Sequence, residues 1–356
     1  MAYTPEARIA PTAGRRLLVD LAATSRNWAL PSEGADLIRN ATPDGWDTVL
    51  VTTPAVSDGD GGTAPSPEVL EAMRDAEVYF GFGLPRSLFL AGARLKWVHS
   101  ASAGVGSLLY PEMMASDVII TNSAVIMGEP IAEQALAGIL YLVRNLDVAV
   151  DQQRRTEWNK APFVDDASQV RELSECRALV VGTGGIGASL ARKLSALGCP
   201  CVGLRRTPDQ PLPPGFERTA GLGDIDWELP RADIVVLATP LTPLTRGLLS
   251  RSRIDCLKPG AIVVNVARGA LLDEEALASA LAGGRIRGAV LDVFEKEPLP
   301  VTSPLWGMRN VVITPHVAAV SPRLFWKREL ELFLDNWARY RAGSPLRNEV
   351  DKSAGY

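Results

Sequence analysis

The sequence predicts an α/β protein with two doubly wound parallel sheets. Short apolar runs alternate along the chain with stretches of helical periodicity, which is the pattern of a parallel sheet covered by helices on both faces. One β-α-β unit carries a glycine-rich first turn at residues 182–187. The chain has 356 residues, enough for two domains of ordinary size.

The unit with the glycine-rich turn starts with a buried strand at Ala178–Val181 and ends with a second strand at Cys201–Leu204. The turn has the spacing G-x-G-x-x-G: the first glycine permits a tight turn, the second lets a pyrophosphate approach, and the third lets the helix pack closely. An ordinary tight turn would not require this order of elements, so we predict a dinucleotide site at the start of the helix. The predicted contacts are Gly182, Gly184, Gly185, Ile186 and Gly187.

Composition and charge argue against several classes of function. The net charge is −4 without a basic block, so nothing indicates a nucleic-acid partner. The longest apolar stretch, near Ala135–Val143, is too short to span a bilayer, and residues 1–16 have no apolar signal core. The four cysteines form neither a zinc pattern nor C-x-x-C, so we expect no metal site, no membrane partner and a reduced, cytoplasmic protein.

The first third of the chain is predicted to be an α/β domain without a glycine turn of its own. Residues 1–15 are expected to be an irregular leader, and Ser57–Ser66, rich in Gly, Asp and Pro, a mobile surface loop. The predicted strands are Arg16–Leu21, Asp47–Thr52, Glu77–Gly81, Leu95–His99 and Asp117–Thr121. The predicted helices are Pro31–Asn40, Pro67–Ala76 and Ser87–Ala93.

A long helix is predicted from Pro130, a residue suited to a first turn, to about Asn145. Its apolar face is wide, which indicates burial on more than one side, between domains or against a second subunit. Further strands are predicted at Ile234–Ala238, Ala261–Val266, Gly288–Val293 and Val311–Thr314, and further helices at Asp273–Leu281 and Ser321–Arg341. The last helix is amphipathic and must dock on an existing domain, because too little chain remains for a third.

The chain contains two histidines, which narrows the search for an acid–base group that works near neutral pH. His316 stands in Ile-Thr-Pro-His, directly after a predicted strand, and open α/β sheets bind their ligands at the carboxyl ends of strands. His99 also ends a predicted strand, in the first domain, and a structural or surface role is its default interpretation.

Charged residues follow two other predicted strands. Arg268 could grip a carboxylate with its guanidinium fork, or it could be a surface arginine near a turn. Glu297 could orient an imidazole by hydrogen bonding to it, but Glu295 and Asp292 are close by. The spacing alone does not decide which of these three acids faces the site.

Several ordered motifs carry a resemblance to a known family. They are Leu-Lys-Trp-Val-His-Ser-Ala-Ser-Ala-Gly-Val at 95–105, Ile-Ala-Glu-Gln-Ala-Leu at 131–136, the glycine turn, Leu-Ala-Thr-Pro-Leu-Thr-Pro-Leu-Thr-Arg-Gly at 237–247, Asn-Val-Ala-Arg-Gly-Ala at 265–270, Leu-Asp-Val-Phe-Glu-Lys-Glu-Pro-Leu-Pro at 291–300 and Thr-Pro-His at 314–316. By these motifs the chain resembles the D-isomer-specific 2-hydroxyacid dehydrogenases, from about residue 77 to the C-terminus. The first 75 residues match only in their order of elements.

The resemblance implies a catalytic set of Arg268, Glu297 and His316. In such enzymes the arginine holds the substrate carboxylate and polarises the keto oxygen. The histidine exchanges a proton with that oxygen, and the glutamate supports the histidine. Backbone N–H groups of Ala103, Gly104 and Val105 resemble the family's second carboxylate anchor, so the implied substrate contacts are these three with Arg268 and His316.

The resemblance also implies two Rossmann-like domains. A flavodoxin-like substrate domain would comprise 1–123 and 319–356, and an inserted dinucleotide-binding domain would comprise 124–318. Family members are usually dimers, so we expect a homodimer formed mainly by the dinucleotide-binding domains. The position after Glu133 is often histidine or an aromatic in the family, but here it is Gln134.

The end of the second strand of the glycine unit indicates the cofactor. NAD-preferring members of this fold carry an acid there, about 20 residues past the first glycine, which bonds the ribose 2′-OH. Here Arg205, Arg206 and Thr207 follow the strand, and a guanidinium can bond a 2′-phosphate. We expect NADP(H) to be preferred and NAD(H) to be possible, with Arg205 and Arg206 as the phosphate clamp. The remaining cofactor contacts implied by the resemblance are Thr239, Pro240, Ala267 and Asp292.

The expected function is an oxidoreductase that transfers a hydride between NAD(P)H and a small 2-keto or D-2-hydroxy acid. The chain ends about forty residues after His316, so we expect a protein of the glyoxylate/hydroxypyruvate reductase kind without a regulatory domain. One alternative is a non-catalytic sensor of the dinucleotide, like the related co-repressors. Another is a formate dehydrogenase, which would need a glutamine near the histidine where this chain has Glu297.

Overall fold

The computed structural model describes residues 14–54 and 65–355. The predicted leader, 1–15, and the predicted loop, 57–66, lie outside the described residues except for the last two positions of each. The chain divides into two compact units. Residues 1–123 and 322–356 form unit 1, and residues 124–321 form unit 2. The sequence predicts these boundaries at 123 and 318.

Unit 1 is built on five parallel strands. They are Arg15–Asp20 (β1), Trp46–Leu50 (β2), Ala76–Gly81 (β3), Trp97–Ser100 (β4) and Ile119–Asn122 (β5), and they lie in the order β2-β1-β3-β4-β5. Its helices are Ser32–Ala41 (α1), Pro67–Met73 (α2), Arg86–Ala91 (α3), Pro111–Met114 (α4) and, from the end of the chain, Phe325–Ala342 (the C-terminal helix). All five predicted strands are present.

The C-terminal helix docks on unit 1 through aromatic side chains. Phe333 stacks on Phe80 of β3 with ring centroids 4.0 Å apart, and both rings are fully buried. The chain after the helix pairs with β5, since Val350 donates a backbone hydrogen bond to Ile120 (2.8 Å). Residues 322–356 are therefore part of unit 1. The helix starts at Phe325, four residues later than expected.

Unit 2 is built on seven parallel strands. They are Ala178–Val181 (β6), Cys201–Arg205 (β7), Arg218–Gly221 (β8), Ile234–Leu237 (β9), Ile262–Asn265 (β10), Gly288–Leu291 (β11) and Val311–Ile313 (β12), in the order β12-β11-β10-β9-β6-β7-β8. Its helices are Ala124–Val143 (α5), Leu146–Arg154 (α6), Ala161–Val164 (α7), Gly185–Ala196 (α8), Ile225–Glu228 (α9), Arg251–Asp255 (α10) and Glu274–Ala282 (α11). The sequence did not predict β8, an edge strand without an apolar run.

Helix α5 is longer than predicted. It begins at Ala124, so the expected start at Pro130 is wrong, and the proline lies inside the helix. Within unit 2 the helix packs along α8 and against β10 and β11, and these contacts hold the turns before the proline. By length and composition alone, α5 is long and apolar enough to cross a membrane. Its contacts within unit 2 account for that apolar composition, because a helix buried on several sides is apolar nearly all round.

An ion-pair cluster joins α5 to α8, the helix that follows the glycine turn. The Glu129 carboxylate accepts hydrogen bonds from Lys193 Nζ (2.7 Å), Ser189 and Arg192. These partners, Lys193 first, lower the pKa of Glu129 to about 2. The cluster fixes the helix whose first turn is the predicted phosphate site.

Candidate functional site

The glycine turn has the geometry that its spacing predicts. Gly182 has a φ of +101°, and a Cβ there would overlap the carbonyl oxygen of Ala238. A Cβ at Gly187 would overlap the carbonyl oxygen of Gly182, so helix and strand need glycine at their closest approach. Gly184 is exposed with open space in front of it, and it starts α8 without a side-chain cap. The first N–H groups of α8, at Gly185 and Ile186, are therefore left for a ligand.

The carboxyl ends of four neighbouring strands, β11, β10, β9 and β6, lie side by side at one edge of the unit 2 sheet. The predicted residues that follow these strands are Gly182 after β6, Thr239 and Pro240 after β9, Ala267 and Arg268 after β10, and Asp292 after β11. Thr239 and Ala267 are buried, and the carbonyl of Pro240 accepts a hydrogen bond from Thr245 Oγ1 (2.7 Å). Open α/β sheets bind ligands at this edge.

Arg205 turns back onto its own loop. Its guanidinium donates to the carbonyl oxygens of Pro208 (2.9 Å), Gln210 and Pro211 (3.2 Å). Arg206 and Thr207 are exposed. The structure thus gives the two predicted clamp residues different surroundings: Arg205 supports the loop from within, and Arg206 lies on its surface.

The loop after β10 is held in a fixed shape. The buried side chain of Asn265 accepts a hydrogen bond from the N–H of Ala267 (3.2 Å) and donates one to the carbonyl of Arg268 (2.9 Å). Arg268 is half-buried, and its Nη1 donates to the carbonyl of Ala267 (2.7 Å). A Cβ at Gly269 would overlap the backbone of Phe294, so the Arg268 loop packs directly on the segment that leads to Glu297. Asn265 is a supporting residue that the sequence analysis missed.

Glu297 is the acid that faces His316. Its Oε2 lies 2.8 Å from His316 Nδ1, and its Oε1 accepts a hydrogen bond from the N–H of Phe294 (2.9 Å). The two side chains are 36% and 35% exposed, so the pair lies at the surface of unit 2. Nδ1 is engaged by the carboxylate, and no described residue hydrogen-bonds Nε2, so that nitrogen is open to a further hydrogen bond.

The other two acids have different surroundings. Glu295 is exposed, and its backbone N–H donates to Glu274, whose pKa is raised by burial. Asp292 is buried, and its carboxylate accepts hydrogen bonds from the backbone N–H groups of Val317 and Ala318 (3.0 Å each). The sequence analysis assigned Asp292 to the cofactor, and it missed this hold on the loop that carries the histidine.

The backbone of His316 is in the left-handed region, with a φ of +54°. An L-residue with a side chain rarely adopts this conformation unless its surroundings hold it there. The His316 N–H donates to the carbonyl of Asp292 (2.8 Å), which fixes the turn.

The predicted substrate loop of unit 1 follows β4. Asn122 Nδ2 donates to the carbonyl of Ala103 (2.9 Å), and Ser102 Oγ donates to the carbonyl of Phe82 (2.9 Å). Val105 is buried in the core of the unit, whereas Ala103 and Gly104 are half-exposed. The loop is therefore held by the Ser102 hydrogen bond at its start and by buried Val105 at its end. The backbone of Ala103 and Gly104 lies between these two points.

The cysteines that the sequence analysis left without a pattern are all unpaired. Cys176, Cys199 and Cys201 are buried, and Cys256 is exposed. Within residues 14–54 and 65–355, no group of three or more His, Cys, Asp or Glu side chains is placed to hold a metal ion.

A family model matches residues 136–318, and it describes the NAD binding domain of D-isomer specific 2-hydroxyacid dehydrogenases. The chain belongs to this family. The predicted family and fold class are confirmed. The family takes its name from the predicted enzyme class, the D-2-hydroxyacid dehydrogenases. A curated relative, the D-3-phosphoglycerate dehydrogenase of Methanocaldococcus jannaschii, is 33% identical over 258 residues. That match covers 71% of this chain and 47% of the relative, so the chain spans about half the relative's length.

Solved structures of the same family cover nearly the whole chain. A D-isomer specific 2-hydroxyacid dehydrogenase from Xanthobacter autotrophicus Py2, in complex with NADPH and MES, is 31% identical with a TM-score of 0.76. The comparison covers 96% of this chain and 99% of that one. The NADPH-dependent glyoxylate/hydroxypyruvate reductase of Sinorhizobium meliloti, in complex with NADP and sulfate, is 27% identical with a TM-score of 0.75, over 96% and 100% of the two chains.

Proposed function

We propose that this chain is a reductase of small 2-keto acids that prefers NADP(H), and that it oxidises D-2-hydroxy acids in reverse. The observation that carries the proposal is the His316–Glu297 pair, at the sheet edge that also carries the Arg268 loop and the glycine turn. We assign dinucleotide binding and the catalytic set to unit 2, and a second anchor for the substrate carboxylate to unit 1.

Each residue of the catalytic set has a defined role in this proposal. Arg268 grips the substrate carboxylate and polarises the keto oxygen with the N–H groups that Ala267 does not occupy. When bound, the reduced nicotinamide supplies the hydride for the keto carbon. His316 delivers a proton from Nε2 to the keto oxygen, and Glu297 on Nδ1 orients the ring and stabilises its charged form. The N–H groups of residues 103–105 offer the second carboxylate anchor.

Turnover of a panel of 2-keto acids tests the activity. We expect oxidation of NADPH with at least one of glyoxylate, hydroxypyruvate and phenylpyruvate. An enzyme that binds NADPH but turns over none of them would instead support the dinucleotide-sensing alternative. Activity with formate and NAD⁺ would support a formate dehydrogenase, which the glutamate at position 297 disfavours.

The cofactor preference rests on the loop after β7. No acid ends this strand, and Arg206 and Thr207 are exposed on a loop that Arg205 braces from within. Arg206 is therefore our candidate for the 2′-phosphate contact, with Arg205 as its support. The relatives from X. autotrophicus and S. meliloti were crystallised with NADPH and NADP, which favours the same cofactor here.

The test compares kcat/KM for NADPH and NADH in the wild type and in Arg206→Ser. One charge-assisted contact contributes about 1.5–3 kcal/mol, so we expect roughly ten- to a hundred-fold preference for NADPH, most of it lost in the variant. Arg205→Asp should abolish the preference as well, because a carboxylate cannot donate to the loop carbonyls that Arg205 holds and adds a negative charge near the phosphate. A wild type that prefers NADH would contradict the proposal.

We propose that two copies form a homodimer through unit 2. Trp158 and Val164, six residues apart in the segment after α6, are 91% and 71% exposed, and burying them against a second copy would remove this apolar surface from water. Sedimentation at micromolar concentration should give a dimer, and Trp158→Ser should weaken it. A wild-type monomer would contradict the proposal.

We further propose a cytoplasmic protein without nucleic-acid or membrane partners. The four unpaired cysteines and the acidic net charge support this. Cell fractionation tests the location, and the protein should remain in the supernatant after membranes are removed.

A further inference from the structure

Gln134 on α5 contacts the segment that carries His316. Its Nε2 lies 2.7 Å from Thr314 Oγ1 and 3.2 Å from Asp292 Oδ1. The two partners follow it by 180 and 158 residues in the chain, so the contact is a tertiary one. The side chain is half-buried and lies within unit 2, like both of its partners.

The direction of these hydrogen bonds can be worked out from chemistry. Thr314 Oγ1 also lies 2.5 Å from Asp292 Oδ1, and an ionised carboxylate can only accept. The threonine hydroxyl therefore donates to Asp292 and accepts from Gln134. Gln134 must then present its NH₂ group to both partners, a task that neither a carboxylate nor an apolar side chain of the same length can perform.

Asp292 holds the whole turn around the histidine. Its carboxylate accepts from Val317 N, Ala318 N and Thr314 Oγ1, and its carbonyl accepts from His316 N. Among the described residues, Gln134 is the one donor to this carboxylate from outside the segment 314–318. Because His316 has a left-handed backbone, the ring direction depends on the turn being held, and the turn depends on where the Asp292 carboxylate points.

We propose that Gln134 is a positioning residue for His316. It acts through Asp292 and Thr314, which it fixes from α5, and thereby keeps the imidazole in line with Glu297. The effect of Gln134 on catalysis rests on the proposed reductase function. Its effect on the position of the His316 ring does not depend on that function.

Two variants and one control test the proposal. Gln134→Met keeps the length of the side chain and removes the donor, and Gln134→Glu replaces the donor by an acceptor. Glu133→Gln is the control, since this exposed neighbour on the same helix faces Lys193 at 3.7 Å and does not contact Asp292.

The first measurement does not need activity. The chain has two histidines, so proton NMR of the ring signals reports both, and His316→Ala identifies the signals of His316. We expect the His316 signals to shift or broaden in Gln134→Met and to stay in place in Glu133→Gln. The signals of His99, which is buried in unit 1, should be unchanged in both variants.

The second measurement is steady-state kinetics. We expect kcat of Gln134→Met to fall about ten-fold, because a misplaced acid–base group transfers its proton poorly. The KM for NADPH should change less than kcat, since the glycine turn and the Arg206 loop take no part in this network and Asp292 itself is kept. Activity of Gln134→Glu relative to the wild type should rise as the pH falls, because protonation returns a donor to the introduced carboxyl group.

Two outcomes would overturn the positioning role. One is an unchanged His316 signal with unchanged kcat in Gln134→Met. The other is a general loss of structure, in which the His99 signals also move and cofactor binding falls with kcat. A wild type that reduces no 2-keto acid would overturn the proposed function instead, and the NMR comparison would still decide whether Gln134 positions the ring.

Discussion

The two histidines of the chain have similar partners and opposite surroundings. His316 Nδ1 lies 2.8 Å from Glu297, and both side chains are about one-third exposed. His99 Nε2 lies 3.0 Å from Glu329, and both side chains are completely buried in unit 1. His99 Nδ1 lies 2.6 Å from Thr121 Oγ1, so both of its ring nitrogens are occupied.

The comparison teaches that a histidine–glutamate pair is not a catalytic signal by itself. In the exposed pair, Nε2 of His316 has no hydrogen-bond partner among the described residues, and the histidine lies just after the end of β12, where a ligand can reach it. In the buried pair, His99 lies inside β4, next to Phe80, Trp97 and Phe333, and Glu329 lies on the C-terminal helix, so the pair joins the sheet to that helix. The default structural interpretation of His99 fits this environment.

The largest effect on turnover is expected for His316. His316→Ala should lower kcat by about a hundred-fold or more, the usual scale for a positioned acid–base group, with little change in NADPH binding. Turnover assays give kcat, and fluorescence titration gives the affinity for NADPH. Near-normal turnover would remove the functional distinction between the two histidines.

Arg268→Lys should have the next largest effect. The lysine keeps the charge but loses the planar fork, so both the carboxylate grip and the contact to the keto oxygen suffer. We expect kcat/KM to fall about thirty- to a hundred-fold, which corresponds to about 2–3 kcal/mol. If lysine supports nearly full activity, Arg268 acts only as a nearby charge.

A matched pair of glutamate variants sharpens the comparison. Glu297→Gln should lower kcat about ten-fold, because the amide still orients the ring but no longer stabilises its charged form. Glu329→Gln should leave kcat within about two-fold and lower the melting temperature, since its new NH₂ group is buried without an acceptor. Equal kinetic defects in both variants would mean that the two pairs do not differ in function.

The difference between the pairs was only partly predictable from the sequence. The glycine turn, Arg268 and His316 could be found because each stands directly after an apolar strand, where the fold class puts ligands. Glu297 could not be separated from Asp292 and Glu295, because three acids fall within six residues and only the path of the loop decides which one faces the histidine. The sequence showed Gln134 only as a departure from the residue that the family usually has there. Its role could not be predicted, because its partners Asp292 and Thr314 are distant in the chain.

Local signals also misplaced parts of the fold. Pro130 resembles a helix start, but packing within unit 2 holds two further turns before it, so tertiary contacts overrode the local preference. The strand β8, Arg-Thr-Ala-Gly, has no apolar run because it lies half-exposed at the edge of the sheet. The cofactor role of Arg205 stays a prediction, and spacing alone could not show that the returning loop supplies three carbonyl oxygens to its guanidinium.

The smallest effect on turnover, and a clear effect on stability, is expected for the buried pair. His99→Leu leaves the Glu329 carboxyl group buried without its partner, and removing one member of a buried pair typically costs about 3–5 kcal/mol. Glu329→Leu should cost less, because His99 keeps its hydrogen bond to Thr121. The double variant should be more stable than the sum of the two single variants predicts, since neither member of the pair is left alone and Thr121 Oγ1 still accepts from Trp97 Nε1 (2.9 Å).

Chemical unfolding of the four proteins, followed by tryptophan fluorescence, measures this coupling, because five of the eight tryptophans, including Trp97 at 6.0 Å from the His99 ring, belong to unit 1. All variants that fold should turn over within about two-fold of the wild type, because a histidine with both nitrogens occupied offers no proton to a substrate. A folded double variant with a kcat reduced as strongly as that of His316→Ala would show that His99 shares in the chemistry. Additive losses of stability would show that His99 and Glu329, although 3.0 Å apart, do not stabilise unit 1 as a pair.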